Sequence, residues 1–256
     1  MKSKKKRLFI IILSTLIVLL ALGALFFLSN PKNAKCVGEI STPNGYVRTE
    51  ASSNSFASYL RHLPLKKRGS LVHLTNGRLA KLQILSYAVI DMNILNNMEQ
   101  CADAVMRLRA EYLWSQKRFS EIRFTTLAGA TLTYQGGDSR EAFEKYLKQV
   151  FDLCNTTSLY KELSPRKFSE VEVGDVLVYP SRKKGKYGHA LIVVDVAVNA
   201  EGKRAVMLAE SNTPAREKHI LRNPNPFDNP WFFIDGDDKD FKASFFTYHP
   251  NELRHF

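Results

Sequence analysis

The longest uninterrupted pattern in the chain is apolar. Leu8 to Leu28 reads LFIIILSTLIVLLALGALFFL, with Ser14 and Thr15 as its only polar side chains and no charge. About 20 such residues make a helix long enough to cross the hydrocarbon layer of a membrane. The apolar core of a cleaved secretory signal is shorter, about 7–15 residues. Ala21-Leu22-Gly23 offers a small-residue cleavage site, yet Leu25-Phe26-Phe27-Leu28 carries the run past it. The run therefore predicts a retained transmembrane anchor over 8–28, behind a basic tail at 1–7 and ahead of a polar linker at 29–40.

Beyond residue 40 the pattern switches between helical and strand periods, which predicts a single α+β domain over 41–256: an antiparallel sheet with packed helices. Phe56, Tyr59 and Leu60 recur at helical spacing between Ser53 and His62, and Pro64 follows the stop. LVHL followed by Thr75-Asn76-Gly77 predicts a hairpin, because Asn-Gly supplies the positive φ of a tight turn, and QILSYAVIDM reads as the next strand. Met98, Cys101, Ala102, Val105, Leu108 and Tyr112 form an apolar stripe that predicts a helix from Asn97 to Gln116, with Cys101 about a turn inside it. IRFTTL and ATLTY read as strands; a helix capped by Asp138 or Ser139 then runs to about Asp152. Strands are expected at Gly174–Tyr179, from His189 onward and, after the Asn199–Gly202 turn, at Ala205–Glu210. The aromatic, Pro-rich tail reads as irregular wrapping.

Charge changes the picture at one end only. The chain has 37 Lys and Arg against 25 Asp and Glu, but Lys2, Lys4, Lys5, Lys6 and Arg7 precede the apolar run. Positive residues stay on the cytoplasmic side, so the remainder is expected outside the cytoplasm, in the cell envelope, with the membrane as a partner through residues 8–28. No helical stripe of Lys and Arg with interleaved aromatics is present, so nucleic acid is not expected as a partner. Three cysteines, Cys36, Cys101 and Cys154, leave an odd thiol, and without a CxxC they indicate neither zinc nor thioredoxin chemistry.

The most patterned stretch is Gly174-Asp175-Val176-Leu177-Val178-Tyr179, then Gly188-His189-Ala190-Leu191-Ile192-Val193-Val194, with Glu210 ending the following strand. It resembles the core of the NlpC-type papain-like cysteine peptidases and their amidase relatives, which cut peptide crosslinks of the bacterial cell wall. The resemblance implies a His189 that takes the proton of a Cys at a helix N-terminus and a third polar residue, Glu210, that orients the imidazole. In such peptidases the nucleophile opens the helix directly before the GD strand, and here that register holds Asp138-Ser139-Arg140-Glu141 and no cysteine. The remaining candidate nucleophile is Cys101, whose neighbour Gln100 could serve an oxyanion. A free Cys on an apolar stripe is usually just a small buried hydrophobe. Cys154 has no His nearby in sequence.

Gln100–Tyr112, Gly174-Asp175-Val176, Gly188-His189-Ala190, Val193-Val194-Asp195 and Leu208-Ala209-Glu210-Ser211 through His219-Ile220-Leu221 are together similar to the bacterial domain-of-unknown-function family 4846, over most of residues 40–256. The resemblance implies an exported protein and more often a Gln where this chain has Glu210. It implies no activity. Glu217 and His219, two apart on an expected strand, point the same way and could join His189, but two ligands at strand spacing are too few for a metal site. There is no phosphate loop, GxSxG elbow or HExxH. No metal and no cofactor are expected. The expected function is that of a membrane-anchored envelope protein with a degenerate peptidase-like core that binds or scaffolds cell-wall peptide or glycan. The alternative is a thiol peptidase or amidase using Cys101, His189 and Glu210.

Overall fold

A computed structural model describes residues 2–28, 34–183, 185–228 and 230–256; in the first helix the side chains at 2–5, 8, 22 and 24–28 lie outside that description. The chain runs through α1 (Lys2–Leu28), β1 (Tyr46–Arg48), α2 (Phe56–Arg61), β2 (Ser86–Val89), α3 (Cys101–Ser115), β3 (Arg123–Thr125) and β4 (Thr131–Thr133). It continues with α4 (Arg140–Leu153), α5 (Thr156–Glu162), β5 (Ser164–Pro165), β6 (Val176–Tyr179), β7 (His189–Asn199) and β8 (Arg204–Glu210). The last strands are β9 (His219–Leu221), β10 (Trp231–Phe233), β11 (Phe241–Ala243), β12 (Phe246–Tyr248) and β13 (Leu253–His255).

The apolar run at 8–28 is helical within α1. Among the residues whose side chains are described, no helix is long and apolar enough to cross a membrane, and the gaps at 8, 22 and 24–28 interrupt the run. Of the expected linker, 29–33 lie outside the described residues. Residues 34–40 are no linker: Val37 and Ile40 are buried, and Cys36 bridges to Pro64, because burying this apolar pair against α2 outweighs the surrounding polarity.

The predicted α+β class with an antiparallel sheet is what folds. Nine strands form one antiparallel sheet in the order β2-β9-β8-β7-β6-β13-β5, with β1 added to β7 and β10 to β8. Long β7 is its centre and buries both faces by alternation. Ala190, Ile192 and Val194 face the helices, whereas Leu191 and Val193 face a second layer built from Phe168, Phe232, Phe241 and Tyr248. Asp195, fully buried, accepts from Arg48 Nε at 2.6 Å and Arg61 Nε at 2.7 Å, which fastens β1 and α2 to β7. The Asn76-Gly77 turn forms as the sequence predicts, with Gly77 at φ 76° and Leu74 N–H donating to the Arg78 carbonyl at 2.8 Å.

Two expectations change. QILSYAVIDM is not the return strand of that turn: Gln83–Leu85 coils, and Ser86–Val89 joins the main sheet beside β9. The tail is not irregular. Trp231–Phe233 lengthens β8's edge, Leu253–His255 enters the main sheet between β6 and β5, and β11 pairs with β12, since short runs of aromatic and aliphatic residues suit half-buried strands.

Candidate active site

Two glycines build the frame around the site. Gly174 adopts φ +98°, and a Cβ there would collide with the Phe56 ring; a Cβ on Gly188 would collide with the Tyr179 carbonyl and the Thr156 hydroxyl. The GD and GH pairs thus have backbone reasons of their own. Asp175 Oδ2 accepts from the Glu172 amide at 2.8 Å, and burial pushes its carboxyl up to about 7.

Antiparallel pairing gathers three strand ends. His189 begins β7, Glu210 ends β8 and His219 begins β9, with Glu210 directly opposite His219. Since Ile192 pairs with Ala209, His189 is the diagonal neighbour of Glu210 on the same face, within reach of a long side chain. Glu210 Oε2 lies 2.7 Å from His189 Nε2 and Oε1 lies 3.3 Å from His219 Nε2. All three side chains are buried. Phe246 stacks on the His189 ring, with centroids 3.8 Å apart and planes at 17°, and Tyr179 is its cross-strand partner.

The fourth group comes from α3. The helix does not start near Asn97 as the periodicity predicts. Residues 97 and 98 turn, the Glu99 amide donates to the Asn96 carbonyl at 3.3 Å, and the Gln100 amide donates to Asp103 Oδ2 at 2.9 Å, which caps the helix. Cys101 is therefore the first helical residue rather than one a turn inside, and its amide belongs to the set that the helix leaves without internal partners. Cys101 lies near enough to the His189 ring to raise its pKa.

Burial works against a charged His189, but the side-chain contacts with Cys101 and then Glu210 outweigh it and push the imidazole up to about 9. For Glu210, burial is outweighed by His189 and His219, which pull the carboxyl down to about 2. Of the two contacts on His189, that with Glu210 at Nε2 is the well-aligned one. Nε2 is taken by Glu210, and Nδ1 makes no hydrogen bond among the described residues.

Beside this array lies a charge cluster that the sequence reading missed. Arg107 Nη1 donates to Glu99 Oε1 at 2.9 Å and Oε2 at 2.8 Å, and Lys218 Nζ pairs with Glu99 Oε1. All three side chains are buried at or below 1% exposure, far below what isolated charges tolerate. Glu99 sits two residues before Cys101 and Lys218 one before His219, so the cluster ties the start of α3 to the start of β9.

The loop after β8 completes the surroundings. Thr213 Oγ1 donates to Gln100 Oε1 at 2.7 Å, and the Gln100 side-chain amide nitrogen has no partner among the described residues. The helix directly before β6 and its neighbour carry no thiol toward His189: Ser139 only caps α4, accepting from the Ala142 amide at 3.2 Å. Cys154 ends α4, where burial pushes its thiol up to about 12. All three cysteines are free, so no disulfide consumes Cys101.

Glu217 and His219 do not converge on a shared ion. The Glu217 carboxylate turns to Lys66 and to His73, whose amide donates to it at 3.0 Å, because Glu217 precedes β9 and lacks its register. Among the described residues no group of three or more His, Cys, Asp or Glu could hold a metal.

A family model described as a domain of unknown function (4846) matches residues 37–138 and 135–255. No curated protein and no solved structure matches the chain.

Proposed function

The chain belongs to the domain-of-unknown-function family 4846, and we propose from the geometry of its site that it is a thiol amide hydrolase with an NlpC-like core. One feature carries the reading: the Glu210 carboxylate contacts the His189 ring at 2.7 Å, and Cys101, at the first position of α3, lies near enough to raise the pKa of the same ring. That is the nucleophile, base and orienting group of a papain-like centre, and it favours the hydrolase over a degenerate scaffold.

The chemistry follows from the positions. His189 Nδ1 takes the thiol proton, which leaves the sulfur facing an imidazolium. The sulfur attacks an amide carbonyl carbon, and the C–S bond forms as the carbonyl π pair moves to oxygen. The Cys101 backbone amide and the Gln100 side-chain amide are the donors available to that oxyanion. Collapse breaks the C–N bond while His189 gives its proton to the leaving amine. Water, deprotonated by His189, then cleaves the thioester and restores the thiol. Glu210 keeps Nε2 occupied throughout, and its ionised state supports the imidazolium.

The apolar run at 8–28 and the five basic residues before it support a membrane anchor, with the domain outside the cytoplasm and cell-wall peptide as the substrate class. Incubating the full chain with soluble muropeptides and following new amino termini by mass spectrometry tests the activity. Release by the wild type and none by Cys101→Ala is the expected result. Binding without release by both proteins would return the protein to a scaffold.

A further inference from the structure

Residues 71–84 expose four large apolar side chains: Leu71, Leu79, Leu82 and Ile84 are 46%, 53%, 60% and 62% exposed. The local fold puts them outside by alternation. Val72 and Ala80 pack inward with Val89, and the Gln83 side chain turns in to bond the Val72 amide at 2.9 Å and its carbonyl at 2.8 Å. His73 bridges to Leu79, and the Ala80 amide donates to the Val72 carbonyl at 2.9 Å, so Leu71 and Leu79 share the outer face of one hairpin. Between Leu65 and Leu85 the chain carries no Asp or Glu, and Lys67, Arg68, Arg78 and Lys81 are exposed on it; Lys66 is held by Glu217. Apolar side chains flanked by cations in this way match an anionic lipid surface, which takes both.

The end of the chain nearest the apolar run meets this region. The Leu65 amide donates to the Lys35 carbonyl at 2.8 Å, Cys36 bridges to Pro64, and Lys35 lines one open cleft of about 410 Å³ with residues 65–70. Lys35 comes seven residues after Leu28, a span of at most about 25 Å. A chain anchored through 8–28 therefore keeps Lys35, and Leu65 bonded to it, near the bilayer surface.

We propose that the 65–85 segment is a second membrane contact, which lays Leu71, Leu79, Leu82 and Ile84 into the interface of an anionic bilayer while the basic residues meet lipid phosphates. The proposal rests on the anchor reading for its tether. The hairpin is also bonded to the segment ahead of β9, with the Thr75 amide donating to the Ala215 carbonyl at 3.4 Å and the Glu217 amide to the His73 carbonyl at 2.9 Å. Docking thus ties the strand that supplies His219 to the lipid surface.

The test reconstitutes the full chain into phosphatidylcholine vesicles with or without about one-third phosphatidylglycerol, with an NBD fluorophore on Leu79→Cys in a Cys36→Ser/Cys101→Ala background. Cys154 is buried, its thiol pushed up to about 12, and stays unlabelled. Nitroxide-bearing lipids are expected to quench the label about twofold or more in anionic vesicles and little in neutral ones. Lys67→Glu/Arg78→Glu/Lys81→Glu is expected to bring the anionic quenching down to the neutral level with circular dichroism unchanged, and about 0.5 M salt should do the same to the unreversed chain. Quenching that survives both, a label quenched alike in both compositions, or one that stays in water overturns the proposal. So does a label shielded from water but untouched by the lipid quencher, as between two copies of the chain. An alkaline carbonate wash reads the anchor independently. Retention with a water-exposed label keeps the anchor and overturns the contact, whereas charge-dependent quenching followed by release upholds the contact without the anchor.

Discussion

Helices α3 and α4 begin alike and end up in different roles. Each starts at a capped first turn, and each packs an apolar stripe on the core. In α4 the stripe is one-sided, with Phe143, Tyr146, Leu147, Val150 and Phe151 inward and charges outward, and Ser139 does nothing but cap it. In α3 eleven of the fifteen residues are buried, Asp103 and Arg107 among them, and its first residue is a thiol against an imidazole. A helix on the surface needs only its cap; a helix buried from its first turn onward is held from all sides. That holding comes from buried charges: Glu99, Arg107 and Lys218 fix the start of α3 against β9.

The contrast can be broken at several points. The largest effect is expected at the first residue of α3: Cys101→Ala should lower kcat/KM by on the order of 10³-fold or more, with the fold kept by circular dichroism. An active Cys101→Ala would remove α3 from the chemistry. Next is the holding cluster. Glu99→Ala leaves the buried Lys218 ammonium without its carboxylate in a dry interior and should cost about 3–5 kcal/mol in urea unfolding, as breaking a buried pair does. A loss below about 1 kcal/mol would mean that the start of α3 is held some other way.

A smaller and more specific effect concerns pH. The alkaline limb of kcat/KM should lie near 9, where His189 gives up its proton. Glu210→Gln removes one of the negative charges that raise His189, so the limb should move to lower pH; an unmoved limb would separate Glu210 from the imidazole. The same shifts bear on stability. His189, raised above its unfolded value, stabilises fully below about 6.5 and loses that contribution as pH rises through about 9. Glu210, lowered, contributes above its ordinary range and loses it as pH falls through about 2. The smallest effect is at α4: Ser139→Ala should cost about 1 kcal/mol of stability and leave turnover unchanged.

The same two helices explain what could be read from the chain. An exposed amphipathic helix writes its period and its cap into the sequence, so α4 was legible to within a residue or two. Because α3 is buried nearly all round, apolar residues before its true start, such as Met98, joined the stripe and pushed the expected start back to Asn97. That displaced Cys101 by a turn. The GD and GH pairs and Glu210 were legible because glycines at tight approaches and a strand-end carboxylate sit at fixed places in a hairpin. The insertion of α4 and α5 between the thiol helix and β6 was not, since nothing in a local pattern says which of three helices packs against β7. Nor were Glu99, Arg107 and Lys218, which are ordinary surface residues until the chain closes over them, and His219 was weighed only for a metal site, which was set aside, and not as the second partner of Glu210.

The central claim is that Cys101 and His189 act as one unit, and the alkylation rate of Cys101 by iodoacetamide at pH 7 tests it most directly. The measurement uses the full chain in a Cys36→Ser background, because Cys36 is the more exposed thiol. A rate at least tenfold higher with His189 present than in His189→Ala is the expected result. Equal rates in the two proteins would mean that the thiol and the imidazole are neighbours without a common chemistry, and the account would fail.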